Sequence, residues 1–363
     1  MSFKAIKFSN PVNPNIPSIL RKRVKDYFDE KKLERHGNKE MVFKTIFMIC
    51  LYFIPYGFLI SGLISSPFII FAMFILMSAG MSGIGLSVMH DANHGSYSRN
   101  PKVNSVLSYL INIIGGNSLN WRIQHNVLHH TYTNINGHDD DIGSGFLMRL
   151  APHQKKLFFH RFQHLYGWFI YAQMTIYWLL GKDFVQLFSY YKQGLLKSQK
   201  RNFLFAFIEL IFFKALYLFL FLVLPIIILP IPWWMTILFF YSMHLASGLF
   251  LACVFQCAHI MPSSDYKMAD EDLVHEHNWA VHQFYNTANF SQTNRFLSWF
   301  IGGLNFQIEH HLFPNICHIH YRKIAPIIKN TAEEYGIPYN EYGGFFNALC
   351  EHARMLKRFG YNQ

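Results

Sequence analysis

The chain has 363 residues, 52% of them hydrophobic, 18% aromatic and 15% charged, with a net charge of +11 and 20 histidines. Soluble domains carry about 25% charge, so this composition excludes disorder, a collagen-like repeat and a small disulfide-rich fold. Long uncharged runs point instead to a membrane protein, in which so many histidines have no solvation reason to exist.

Residues 1–41 form a polar, proline-containing arm without the apolar core and cleavage site of a signal peptide. Basic residues gather beside apolar runs: Arg21, Lys22, Arg23, Lys25, Lys31 and Lys32 before the first, and Lys192, Lys197, Lys200 and Arg201 before a later one. They follow the positive-inside pattern, and they match no nucleic-acid-binding module. Four apolar runs, at roughly 42–64, 67–89, 203–229 and 233–259, are long enough to cross ~30 Å of hydrocarbon as helices. Ser65-Ser66-Pro67 joins the first pair and Pro230-Ile231-Pro232 the second, so two helical hairpins are expected. An even number of spans puts the arm, the 90–202 segment and the 260–363 tail on one face, and their basic bias makes that face cytoplasmic.

The expected fold is therefore an all-α integral membrane protein. It is a single 1–363 domain of four transmembrane helices in two hairpins (42–89 and 203–259), with a cytoplasmic histidine-rich helical cap. Stretches 103–116 and 157–192 read as interfacial or buried helices, with 165–180 the weakest point of the span count. Glu209 and Lys214 fall inside the third span, where ordinary ion pairing is preferred over a substrate or proton path. The cysteines (Cys50, Cys253, Cys257, Cys317 and Cys350) are odd in number and lack CxxC spacing, so neither a disulfide framework nor a zinc ribbon is expected.

Three histidine clusters follow the spans. His90 and His94 stand in HDANHGSYS. His125, His129 and His130 stand in WRIQHNVLHHTYTN. His310 and His311 stand in NFQIEHHLFP, with Gln307 one turn earlier. His259 ends the fourth span. Histidines four apart share a helix face, and His130, one residue on, can reach a second metal. One catalytic zinc takes about three protein ligands, so this many imidazoles suit two transition metals, iron above all. There is no H-E-x-x-H, against a zincin protease, and no E-x-x-H, against a carboxylate-bridged di-iron bundle. A metal transporter would set its ligands deep along a membrane path, whereas these gather on one side. His160 and His164 repeat the spacing without a third histidine and read as a polar helix face. His275, His277, His282, His318 and His320 are candidates for supporting roles, and His244, mid-span, for ordinary packing.

The three boxes, with TANFS and QTNRFLSWFIGGLNFQIEHHLFPNICHIHY, resemble the membrane fatty acid desaturase family. The Gln307 form of the third box is similar to its front-end branch, particularly Δ6-type acyl-lipid desaturases of cyanobacteria and other bacteria. The resemblance covers most of residues 85–330 at intervals. It implies a non-haem di-iron centre held by His90, His94, His125, His129, His130, His259, His310 and His311. Gln307 would bind directly or through water. Where a related branch has an asparagine one turn before the extra histidine, this chain has Phe255, with Gln256 beside it.

The resemblance further implies dioxygen as co-substrate and a cis double bond introduced into an acyl chain on glycerolipid, coenzyme A or carrier protein. The setting would be a bacterial plasma membrane, with both termini cytoplasmic. No HPGG haem motif occurs, so a separate ferredoxin-like or cytochrome-b5-like protein is the expected electron donor. Lipid hydroxylases and alkane monooxygenases share such boxes and are the nearest alternatives. Metal-bound imidazoles need partners on their second nitrogen; Asp91, Asp139, Asp140, Asp141 and Glu309 are candidates, a solvated loop being the alternative. Trp121, Phe290, Trp299 and Phe306 are candidate walls for the acyl chain, and Arg149, Lys155 and Lys156 candidate headgroup contacts.

Overall fold

The computed structural model describes residues 3–9, 15–143, 145–268 and 273–361, and it is mostly helical. Helix α1 (Ile16–Glu30) lies outside the apolar bundle and buries Ile16, Leu20, Val24 and Phe28, one face at helical spacing. Four further helices are long and apolar enough to cross a membrane: α2 (Lys39–Ile60), α3 (Pro67–Asn93), α6 (Phe203–Ile228) and α7 (Trp233–His259). Between α3 and α6 run α4 (118–132) and a helical stretch, α5 (163–193), bent at Gln173. After α7 come α8 (Trp279–Asn286), α9 (Gln307–Leu312), α10 (Tyr321–Glu334) and α11 (Phe345–Tyr361). Two parallel pairs of two-residue strands, Lys7–Phe8 with Val274–His275 and Asn289–Phe290 with Glu341–Tyr342, pin the arm and tail to the body.

Local chemistry sets the helix ends. The Asn38 side chain accepts from the backbone of Glu40 (2.9 Å) and Met41, capping α2. Pro67 opens α3, where its missing N–H costs nothing. Helix α3 runs four residues past the expected 89, to Asn93, so the first histidine box is built on the span itself. Wide turns of π-helix interrupt it at Ile84–Val88, just before His90.

Helices α2 and α3 touch backbone to backbone: a Cβ on Gly80 would lie 2.5 Å from the Tyr52 nitrogen. Helices α3 and α7 meet at Ser82 and Ser247, 3.0 Å apart. Helix α6 joins through the Tyr217 hydroxyl on His244 (3.0 Å) and the Tyr56 hydroxyl on the Leu220 carbonyl (2.8 Å). His244 is thus a packed, hydrogen-bonded group.

The charges in α6 are paired. Lys214 binds Asp183 of α5 and the carbonyls of Gly115 (2.7 Å) and Trp178 (2.9 Å), and Glu209 meets Arg201 at 3.3 Å. Asp183 and Lys214 tie α5 to the middle of α6. Outside the spans, α1, α8, α9 and α10 share a second apolar core around Phe284, Ile308, Tyr321 and Ile324.

Candidate metal centre and its cavity

The second histidine box owes its geometry to an unusual helix. Residues Arg122–His129 are π-helical, and the His130 amide bonds to the His125 carbonyl five residues back. In an α-helix, at 3.6 residues per turn, His130 would point about 140° away from His125. The i→i+5 winding returns it to the same face, so its ring centroid is 4.7 Å from that of His125, closer than His129 at 5.3 Å. Ordinary α-helix spacing gave no sign of this.

The eight boxed or span-end histidines converge. Nitrogens of His90, His94, His125 and His310 lie within 4.8 Å of one another, as do those of His129, His259 and His311. His130 stands between the groups, in contact with His310 and His311. His310 and His311, adjacent in sequence, thus fall in different groups, as do His125 and His129.

The donor atoms fit metal ions. The Nε2 atoms of His90 and His125 are 3.1 Å apart, those of His125 and His130 3.2 Å, and those of His130 and His310 3.0 Å. Two imidazoles bound at right angles to one ion at ~2.1 Å have nitrogens ~3.0 Å apart. His94, His259 and His311 each have a shielded Nε2 without a protein partner, a costly state unless a cation satisfies it.

Burial, reinforced by neighbouring imidazoles, holds His94, His125, His130, His310 and His311 well below the ordinary histidine pKa, so they are neutral and ready to bind metal. His129 differs. Burial opposes its charge, but the nearby Asp139 and Asp141 carboxylates outweigh burial and raise its pKa to about 9. Asp139 accepts from His129 Nδ1 (3.1 Å), the arrangement that leaves Nε2 free for a metal.

Other second nitrogens are held by groups that sequence reading had not singled out. His310 Nδ1 meets the Tyr321 hydroxyl (3.1 Å), His311 Nδ1 meets Gln283 (2.8 Å), and His259 Nδ1 meets the Asn286 carbonyl (3.1 Å). Gln283 and Asn286 lie three apart on a short helix that also carries His282, the one signal that could have found them. His282 also supports the site, binding the Thr133 carbonyl at 2.9 Å.

Of the remaining acidic candidates, Asp141 also lies 3.3 Å from His129 Nδ1, and the others act less directly. Asp91 binds His318 Nδ1 (2.8 Å) and the Cys317 thiol (3.0 Å), while His90 Nδ1 is 4.0 Å away. Asp140 takes the Tyr190 hydroxyl and Asp141 takes Gln124. Glu309 turns from the imidazoles to Asn289 (2.8 Å) and the Tyr339 hydroxyl (2.7 Å), anchoring α9; burial pushes its pKa up to about 7 against those bonds. Gln307 is buried beside His259, its amide nitrogen on the Leu304 carbonyl (2.8 Å). His160 binds the Phe146 carbonyl (2.8 Å) and stands apart from both groups.

A cavity of about 450 Å³ adjoins the histidines, with His125, His129 and His259 in its wall beside Trp121, Met174 and Phe255. Trp121, Trp178 and Phe255 also border a small apolar recess reaching Met81, Met89 and Ile114. Of the expected wall residues, Trp121 lines this space. Phe290 packs in the core with Leu304, Trp299 packs against Phe47 and Lys44, and Phe306 belongs to the core under α1. The expected headgroup contact Arg149 is instead buried, its guanidinium bound to the carbonyls of Gln154 (2.8 Å) and Phe359 (2.6 Å), which staples α11 to the 149–154 loop.

The family model for fatty acid desaturases matches residues 19–343. The chain belongs to the fatty acid desaturase family. It is 33% identical over 349 residues to the sn-1 linoleoyl-lipid 6-desaturase of Arthrospira platensis, covering 94% of this chain and 92% of that one. It is 34% identical over 347 residues to the enzyme of the same description from Synechocystis sp., covering 94% of each. An acyl-lipid (8-3)-desaturase of Physcomitrium patens is 31% identical over 360 residues, 98% of this chain and 74% of the relative. The desaturase is therefore an oxidoreductase of lipid metabolism, with a histidine-built site that could hold metal ions next to an apolar cavity.

Proposed function

We propose that this desaturase inserts a cis double bond, at the Δ6 or another front-end position, into an acyl chain carried on a membrane glycerolipid. The observation that carries the reading is the convergence of eight histidines into two adjoining groups on the wall of an apolar cavity. Two non-haem irons, once bound, would supply the oxidising power to remove two vicinal hydrogens with dioxygen, two electrons and two protons, giving two waters.

The residues of this chain do the rest. His90, His94, His125 and His310 hold one ion, His129, His259 and His311 the other, and His130 stands between them. Gln307 stands beside His259. Asp139, Tyr321, Gln283 and the Asn286 carbonyl fix the rings. Trp121 and Phe255 hold the chain against the site and keep water out. Asp139, Asp140 and Asp141 in the cavity wall oppose a polyanionic carrier such as coenzyme A, and the relatives' names, which specify lipid substrates, agree. Four spans in two hairpins with both termini in the cytoplasm suit the basic bias of the flanking segments, and a ferredoxin-like or cytochrome-b5-like protein would bring the electrons.

The test is expression in a host without polyunsaturated lipids, supplied with defined fatty acids. Lipids are resolved by class and the new double bond located by mass spectrometry. A front-end double bond in glycerolipid is expected. A hydroxyl group labelled from oxygen-18 gas, or a product confined to soluble thioesters, overturns the reading.

A further inference from the structure

Helical stretch α5 is too interrupted to stand among the four spans, yet its contacts descend alongside them. Gln163 donates to the Leu356 carbonyl (2.7 Å) and Tyr171 meets His352 (2.9 Å), both on the outer helix α11. Ala172 then presses on Gly248, where a Cβ would lie 2.4 Å from its carbonyl oxygen. Gln173 accepts from the Tyr241 hydroxyl (2.8 Å), and the Thr175 hydroxyl donates to the His244 carbonyl (2.8 Å). His244 is about 22 Å along α7 from His259 at 1.5 Å per residue. From there the chain reaches Lys214, mid-way along α6, and returns until Tyr190 meets Asp140 beside the cavity. Non-spanning backbone at such depth persists where protein satisfies its polar groups, which these contacts do.

The outward side of this descending segment is apolar and uncovered. Leu165 is 67% exposed, Phe169 62% and Tyr177 53%. The loop that carries Phe146, 67% exposed, and Leu147, 42% exposed, is tied to the start of this segment, where the Tyr166 hydroxyl donates to the Leu147 carbonyl (2.8 Å), and both residues border the cavity. Ile170, Met174 and Tyr177 on one side and Phe146 and Leu147 on the other all line the 450 Å³ cavity. An exposed apolar rim of this extent marks a surface that water does not cover. Lys155, Lys156 and Arg161 are exposed on the connecting stretch, where they suit anionic headgroups at an interface.

We infer that the cavity opens sideways into the bilayer, beyond the Tyr166–Leu147 bond, through a portal between the Phe146 and Leu147 side chains and the 170–177 stretch of α5, and that the acyl chain enters there without leaving the leaflet. The occupant of the rim is lipid. The inference rests on the acyl-chain reading of the cavity, but its principal test does not use activity.

Nitroxide labels on Phe146→Cys and Tyr177→Cys, in a background with Cys50→Ser and Cys350→Ser, would be compared with a label on Lys155→Cys. The protein is reconstituted in phosphatidylcholine–phosphatidylglycerol vesicles. Labels at 146 and 177 are expected to relax faster with dissolved oxygen than with a water-soluble nickel chelate, and the label at 155 to show the reverse. Chelate-dominated relaxation at 146 and 177 overturns the portal. Lipid-exposed labels in a protein that desaturates nothing would keep the portal and overturn the function. As a second arm, Phe146→Arg should raise KM for vesicle-borne lipid severalfold with kcat, iron content and melting temperature unchanged. An unchanged KM counts against the portal.

Discussion

At the scale of single residues, the site depends as much on what holds each imidazole as on the imidazole itself. Asp139 is the clearest case, buried and bonded to His129 Nδ1. Outer partners of metal ligands typically contribute 10–100-fold to affinity or activity. Asp139→Asn should therefore lower desaturation by about that factor and reduce the iron retained, measured by product analysis and by colorimetric iron. His129→Ala should abolish desaturation and lower the iron retained by about half; unchanged lipid unsaturation in that variant would rule out catalysis at this cluster. The boxed histidines were legible in the sequence because their spacing and grouping are unusual. Tyr321, Gln283 and Asn286 were not, since a tyrosine or amide becomes a ligand's partner only when a distant helix folds against it.

At the scale of elements, two departures from ideal helix place the chemistry. The π-turns before His90 and through His125–His129 are absent from any spacing rule, and the second sets His130 beside His125. The length and apolarity of the spans were readable, to within a few residues at each end. The pairing of α5 with α6 through Asp183 and Lys214 was foreseen only as ion pairing of some kind. Removing one partner of a buried pair leaves an uncompensated charge, costing about 3–5 kcal/mol, whereas replacing both with apolar groups is often neutral. Lys214→Met should accordingly lower the melting temperature in detergent, and Asp183→Leu added to it should restore most of the loss. Equal destabilisation in the double variant would mean that the loss comes from the Gly115 and Trp178 carbonyls left without Lys214 and not from the stranded Asp183 charge.

At the scale of the whole molecule, the two histidine groups draw their members from α3 and its end, α4, α7 and α9, elements separated by up to 221 residues in the chain between His90 and His311. A bound ion would cross-link all four, and anything that binds the folded state alone stabilises it. Removing iron with a chelator should lower the melting temperature of the wild type more than that of His129→Ala, which lacks one ligand, in a paired thermal-unfolding measurement. The sequence by itself determined the apolar spans, the basic flanks, the eight ligating candidates and the family they resemble, because hydropathy, charge and histidine spacing are local. Only the tertiary structure decided which histidines share a centre, which groups hold their second nitrogens, that Arg149 is a buried staple, and where the cavity lies. Each of these depends on the packing of segments far apart in the chain, which no local pattern encodes.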